Sequence, residues 1–128
     1  MICCCCKGLL HPVFHFPGSP YQHVLEALSA YLMILEKQYE SPSCAGYYNI
    51  GPDDADCLTT GALVNLFCDT WGENAEWVDC HADGPHESNY LKLDCSLLKR
   101  VFGWQPKWPI ATAVEKVVAW SKCYLSGE

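Results

Sequence analysis

From residue 20 onward the apolar positions fall into a helical rhythm. Val24, Leu28, Tyr31, Leu32, Leu35 and Tyr39 recur at steps of three and four, which sets them on one face of a helix. Pro20 suits the first turn of that helix, where its missing N–H costs little, and Ser41-Pro42-Ser43 ends it. Gly46-Tyr47-Tyr48-Asn49-Ile50 is short, aromatic and β-branched, is closed by Gly51-Pro52, and predicts a buried strand. Thr59 or Thr60 can cap a second helix whose apolar stripe is Leu63, Val64, Phe67, Cys68 and Trp71, with Gly72 as its stop.

Further on, Glu76 to Asp79 and the alternating Tyr90 to Asp94 predict two more short strands, separated by the polar loop His81 to Ser88. A short helix with Leu97, Leu98, Val101 and Phe102 follows, capped near Asp94 or Ser96 and ended by Gly103. Trp104 to Pro109 is a rigid aromatic connection into a last helix carrying Ile110, Val114, Val117, Val118 and Tyr124. The order is helix, strand, helix, strand, strand, helix, helix: an α/β chain, mostly helices with short strands. Tyr47 to Ile50 looks like a strand that needs a sheet this chain does not supply, because an unpaired strand leaves backbone N–H and C=O groups without partners. Residues 1–19 show neither period and end in a Pro-Gly-Ser breaker, so they are set apart as an unmatched segment before a unit spanning 20–128.

Composition narrows the function classes. Of the 128 residues, 50% are apolar, enough for a core and too many for low-complexity disorder. The net charge of -7, from 15 acidic and 8 basic side chains, argues against nucleic-acid or anionic-membrane surfaces. No apolar run approaches the ~20 residues that span a bilayer. Ten cysteines include four in a row, Cys3 to Cys6, and the other six form no CxxC pair. Adjacent thiolates fit one tetrahedral metal poorly, and the start lacks a basic segment ahead of an apolar one. The expectation is a cytoplasmic chain with reduced cysteines packing as small hydrophobes.

Several segments, in order, carry a family resemblance. PYQHVLEALSAYLMILEKQYE (from Pro20), YYNIGPDDAD (from Tyr47), PHESNYLKLDCSLLKRVFGWQPKW (from Pro85) and AVEKVVAWSKCYLSG (from Ala113) resemble CDP-glucose 4,6-dehydratase, an extended short-chain dehydrogenase/reductase. The Gly103-Trp104-x-Pro106 ending resembles many extended members. The QHVLEALSAYL and PHE segments are more specific to the CDP-glucose branch. The resemblance implies a Rossmann lobe binding NAD and a smaller C-terminal lobe binding CDP-glucose. It also implies a reaction that oxidises the sugar at C4, eliminates water across C5 and C6, and returns the hydride to C6. This chain then corresponds to the C-terminal sugar-nucleotide-binding lobe, with the Rossmann lobe missing.

That chemistry requires a glycine-rich βα turn for the pyrophosphate and a Tyr-x-x-x-Lys pair whose Tyr serves as base. Neither GxGxxG nor GxxGxxG occurs, and none of Tyr21, Tyr31, Tyr39, Tyr47, Tyr48, Tyr90 and Tyr124 has a Lys four residues on. No catalytic or cofactor-binding residue is therefore assigned, and NAD is expected only for the full-length family. Ser19 stands where the family has an Arg, and Tyr21 where it has Trp. The expectation is a truncated frame joining the family's own near Pro20.

Four residues are candidates for contact with the sugar nucleotide. His86 and Glu87 sit in a polar loop of the kind that carries binding groups, or they pair locally. Gln22 and His23 open the first helix, where N–H groups could face a diphosphate, or they simply cap and pack. Asp53, Asp54 and Asp56 read as a solvated turn, short of the oxygens and spacing a calcium loop wants. Trp71, Trp104, Trp108 and Trp120 read as packing between the last helices, and Cys80, His81 and His86 lack a zinc spacing.

Three functions compete: a binding lobe of a CDP-glucose dehydratase-like enzyme, inactive alone and completed by a separate Rossmann half; a stand-alone sugar-nucleotide-binding or interaction module; and a small metal or redox protein. Small domains bury a smaller share of their surface, so a chain of this size with exposed apolar faces is expected to associate.

Overall fold

The computed structural model describes residues 18–78 and 91–127. Four helices dominate: α1 (Val24–Glu40), α2 (Thr60–Trp71), α3 (Ser96–Phe102) and α4 (Ile110–Ser126). Two strands of two residues each, β1 (Ser19–Pro20) and β2 (Cys57–Leu58), pair in one ladder. The described chain divides into two compact units. One comprises Pro20–Cys57 and Lys92–Ala113; the other takes its described residues from 18–19, 58–78, 91 and 114–127.

The first unit is built around α1 and α3. Leu98 and Ala30 have no exposed surface and Trp104 is 2% exposed, with Met33, Ile34, Tyr48, Ile50 and Phe102 packed against them. Phe102 meets Tyr48 edge-on, ring centres 4.9 Å apart. Asp94 Oδ1 accepts the Ser96 N–H at 2.9 Å and so caps the start of α3. Gly103, in the left-handed region at φ 66°, ends it, as the sequence indicates.

Helix α1 departs from expectation at its start and on its face. It begins at Val24, with His23 as N-cap, while Pro20 lies in β1. A side-chain cap two residues before Leu25 fixes the first turn later than the proline signal does. The apolar stripe read from the sequence faces solvent: Val24 is 65% exposed, Leu32 67%, Leu35 62% and Tyr39 93%. The inward face carries Glu26, Ala30, Met33 and Ile34 instead.

The expected strand at Gly46 to Ile50 forms no ladder. Its side chains alternate as a strand's do, with Tyr48 and Ile50 half-buried and Tyr47 and Asn49 exposed. Among the described residues it gains no ladder partner; the Asn49 side chain donates to the Asp94 carbonyl at 3.1 Å instead. Residues 75–78 and 91–94 also stay out of any ladder, apart from a bond from the Leu91 N–H to the Gly18 carbonyl.

In the second unit, α2 follows its sequence signals closely. Thr59 Oγ1 accepts the Ala62 N–H at 3.1 Å, and Leu63, Val64, Phe67 and Trp71 are buried. Gly72 stops the helix at φ 70°. Lys122 of α4 then donates to the Trp71 carbonyl at 2.7 Å and to Glu73 at 3.3 Å, and lies 5.3 Å from the Trp71 ring centre. Val114 and Val118 are buried on α4, whereas Trp120 is 66% exposed and stacks on Tyr124 of its own helix. Trp71 and Trp104 pack as expected; Trp120 does not.

Candidate functional site

Helix α1 opens on three residues with distinct jobs. The His23 Nδ1 accepts the Leu25 N–H at 3.1 Å, and its ring stands edge-on to Trp108 at 5.0 Å and 82°. The cap occupies Nδ1, so Nε2 is the nitrogen His23 can offer a ligand. Gln22 donates from Nε2 to the Ile50 carbonyl at 3.4 Å, while its Oε1 is buried with no hydrogen-bond partner among the described residues. A buried amide oxygen without a donor is costly, of the order of 1–3 kcal/mol, and marks a position where a donor is wanted.

Glu26, the third residue, had no signal in the sequence beyond being a carboxylate in the first turn. It is 4% exposed and grips the Trp104–Pro109 connection: Oε1 accepts the Trp108 N–H at 3.0 Å and Oε2 the Lys107 N–H at 3.1 Å. One turn on, Ser29 Oγ accepts the Trp104 indole N–H at 3.4 Å. The same connection thus fixes Trp108 beside His23. Residue types alone could not reveal this, because the partners lie about eighty positions apart in the chain.

A groove of about 610 Å³ opens between the 52–54 turn and residues 92–99. Its charged lining is Asp53, Asp54, Lys92, Asp94 and Lys99, with Cys95 at its wall. Lys92 pairs with Asp54 at 2.5 Å, and Lys99 with Asp53. The hydrogen bond to Asp53 raises the Lys99 pKa above its ordinary value. Hydrogen bonds from the Ser96 side chain and N–H hold the Asp94 carboxyl below its ordinary range. Burial pushes the Cys95 thiol up, so it remains a thiol at neutral pH and is a poor nucleophile.

The acidic turn is therefore tied down at each carboxylate. Asp53 and Asp54 pair with lysines, and Asp56 Oδ1 accepts the Ile110 N–H at 2.9 Å, serving the first turn of α4. Among the described residues no group of three or more His, Cys, Asp or Glu side chains is arranged to hold a metal ion. Among the described residues, Cys44, Cys57, Cys68, Cys95 and Cys123 form no disulfide. No described helix is long and apolar enough to cross a membrane.

Of the four sequence candidates, Gln22 and His23 are adjacent at the mouth of α1. His86 and Glu87 lie outside the described residues, as do Cys80, His81 and Cys3 to Cys6.

No protein-family model matches the chain. It is 37% identical over 110 residues to the CDP-glucose 4,6-dehydratase of Salmonella typhimurium, an alignment that covers 85% of this chain and 31% of that enzyme. The chain thus spans about a third of the relative it matches. Most of this polypeptide is therefore related to one part of CDP-glucose 4,6-dehydratase.

Proposed function

We propose that the chain is the sugar-nucleotide-facing part of a CDP-glucose 4,6-dehydratase-like protein: it contributes to CDP-glucose binding and does not catalyse dehydration by itself. The observation that carries this reading is the 37% identity across 85% of the chain, to a relative most of whose length has no counterpart here. Gln22 and His23 would contact the ligand, together with His86 and Glu87. The Gln22 Oε1, buried and without a donor, is the acceptor that a ligand hydroxyl or amine would satisfy.

The residues present do not fit a dinucleotide cofactor. A glycine-rich turn between strand and helix is what lets backbone N–H groups approach a pyrophosphate. Here β2 runs into α2 through Thr59, with Gly61 the lone glycine of that turn. NAD would belong to the part of the enzyme outside this similarity, and no catalytic step is assigned to these side chains.

The unpaired stretch from Tyr47 to Ile50 supports a companion. Its side chains alternate, and among the described residues its backbone groups, apart from the Ile50 carbonyl, make no hydrogen bond. Such a segment is completed by the edge of a β-sheet, which a nucleotide-binding α/β lobe would offer.

Calorimetric titration tests the binding claim. CDP-glucose should bind the folded chain, and Gln22→Ala and Glu87→Ala should each weaken it, with CDP alone retaining part of the affinity. Binding that survives without any companion would favour a stand-alone module over a fragment. A folded chain that takes up no CDP-glucose, with or without the missing two-thirds supplied from the Salmonella enzyme, would remove the proposal.

A further inference from the structure

The His23 ring is held on two sides. Its Nδ1 accepts the Leu25 N–H at 3.1 Å, which makes it the N-cap of α1. A neutral imidazole that accepts at one nitrogen carries its proton on the other, so the cap assigns that proton to Nε2. Among the described residues Nε2 has no hydrogen-bond partner. The Trp108 ring stands 5.0 Å away at 82°, the edge-on arrangement that aromatic pairs prefer, and limits how far the imidazole can turn.

Trp108 is itself fixed in place. Glu26, 4% exposed, accepts the N–H groups of Lys107 and Trp108 at 3.1 and 3.0 Å. Both contacts are to the backbone, so the place of residue 108 does not depend on its own side chain. The Glu26 N–H in turn bonds the His23 carbonyl at 2.9 Å. Carboxylate, indole and imidazole therefore form one series of contacts that ends at Nε2. Beside it, the buried Gln22 Oε1 has no donor among the described residues. Two adjacent side chains thus offer a ligand one acceptor and one donor.

We infer that Trp108 is a positioning residue for ligand binding: with the helix cap it fixes the His23 ring, so that His23 meets CDP-glucose as a hydrogen-bond donor from Nε2 to an acceptor oxygen of the ligand, and not as a base. This rests on the proposed contact between His23 and the sugar nucleotide. Long-range proton–nitrogen correlation spectra of the ligand-free chain should show the His23 proton on Nε2 alone. In calorimetric titrations, His23→Ser keeps a cap and removes the donor. It should weaken CDP-glucose by about fivefold, the worth of one hydrogen bond. Trp108→Leu leaves the grip of Glu26 on the backbone intact, so circular dichroism should not change, while affinity should fall by about threefold. In the His23→Ser background the same Trp108→Leu change should alter affinity by less than about twofold. A packing role alone would weaken both backgrounds equally. If the oxygen belongs to the nucleotide, the His23→Ser loss appears with CDP as well; if it belongs to the sugar, only with CDP-glucose. A proton on Nδ1, a Trp108→Leu loss equal in the two backgrounds, or no loss at all would overturn the inference. A parent chain that takes up no CDP-glucose while its His23 proton sits on Nε2 would remove the binding reading and leave the fixed donor.

Discussion

Glu26 and Trp108 are joined by a hydrogen bond of 3.0 Å from the Trp108 N–H to a carboxylate that is 4% exposed, and the same carboxylate takes the Lys107 N–H. This contact ties the first turn of α1 to the connection before α4 and holds Trp108 edge-on to His23. Removing the acceptor leaves two N–H groups without a partner. Glu26→Ala should lower the free energy of unfolding by about 3 kcal/mol, read from urea denaturation. A loss below about 1 kcal/mol would show the contact to be incidental.

Leu98 is the most enclosed large side chain of the first unit, with no exposed surface beside Ala30 and Trp104. Leu98→Ala should cost about 3 kcal/mol through lost transfer energy and the cavity left behind. Its neighbour Leu97, 39% exposed on the same helix, should cost much less when truncated. Equal losses at the two positions would mean α3 is turned differently from this structure.

Asp94 gives a pH signature. Its carboxyl lies below its ordinary range in the folded chain because Ser96 donates to the ionised form. A depressed folded pKa means the stabilisation is present above the unfolded value, near 4, and fades as pH falls through the folded one. The stability difference between the parent chain and Asp94→Asn should therefore be constant from neutrality down to about pH 4 and vanish below it. A difference that persisted unchanged into strong acid would assign it to something other than this charge.

The described thiols should differ in reactivity. Cys123 is exposed on α4, whereas Cys95 is buried, donates to the Gly51 carbonyl at 3.9 Å and has its pKa raised by burial. Alkylation followed by peptide mass spectrometry should label Cys123 early and Cys95 last. The reverse order would contradict the placement of α3.

Legibility from sequence varied with how local the cause was. Helix α2 was readable throughout, because Thr59, the Leu63 to Trp71 stripe and Gly72 are all neighbours in the chain. Helix α1 is legible from its periodicity, but the apolar stripe that reveals it faces outward. Periodicity cannot say which of two apolar faces turns inward, and the inward one is carried by a small Ala30 and a charged Glu26. The stretch from Tyr47 to Ile50 has a strand's alternation and no ladder, since pairing depends on a neighbour that no local pattern supplies. At the candidate site, Gln22 and His23 could be named from their place before a helix. The grip of Glu26 on residues 107 and 108, and the pairing of Asp53 with Lys99, arise from distant contacts and left no mark in spacing.

The central claim is that this polypeptide carries a binding surface without the reactive machinery. The most direct measurement is turnover of CDP-glucose by the pure 128-residue chain in the presence of NAD, followed by the appearance of the 4-keto-6-deoxy sugar. The account expects none above the uncatalysed background. Steady product formation by the chain alone, with no second polypeptide, would contradict it.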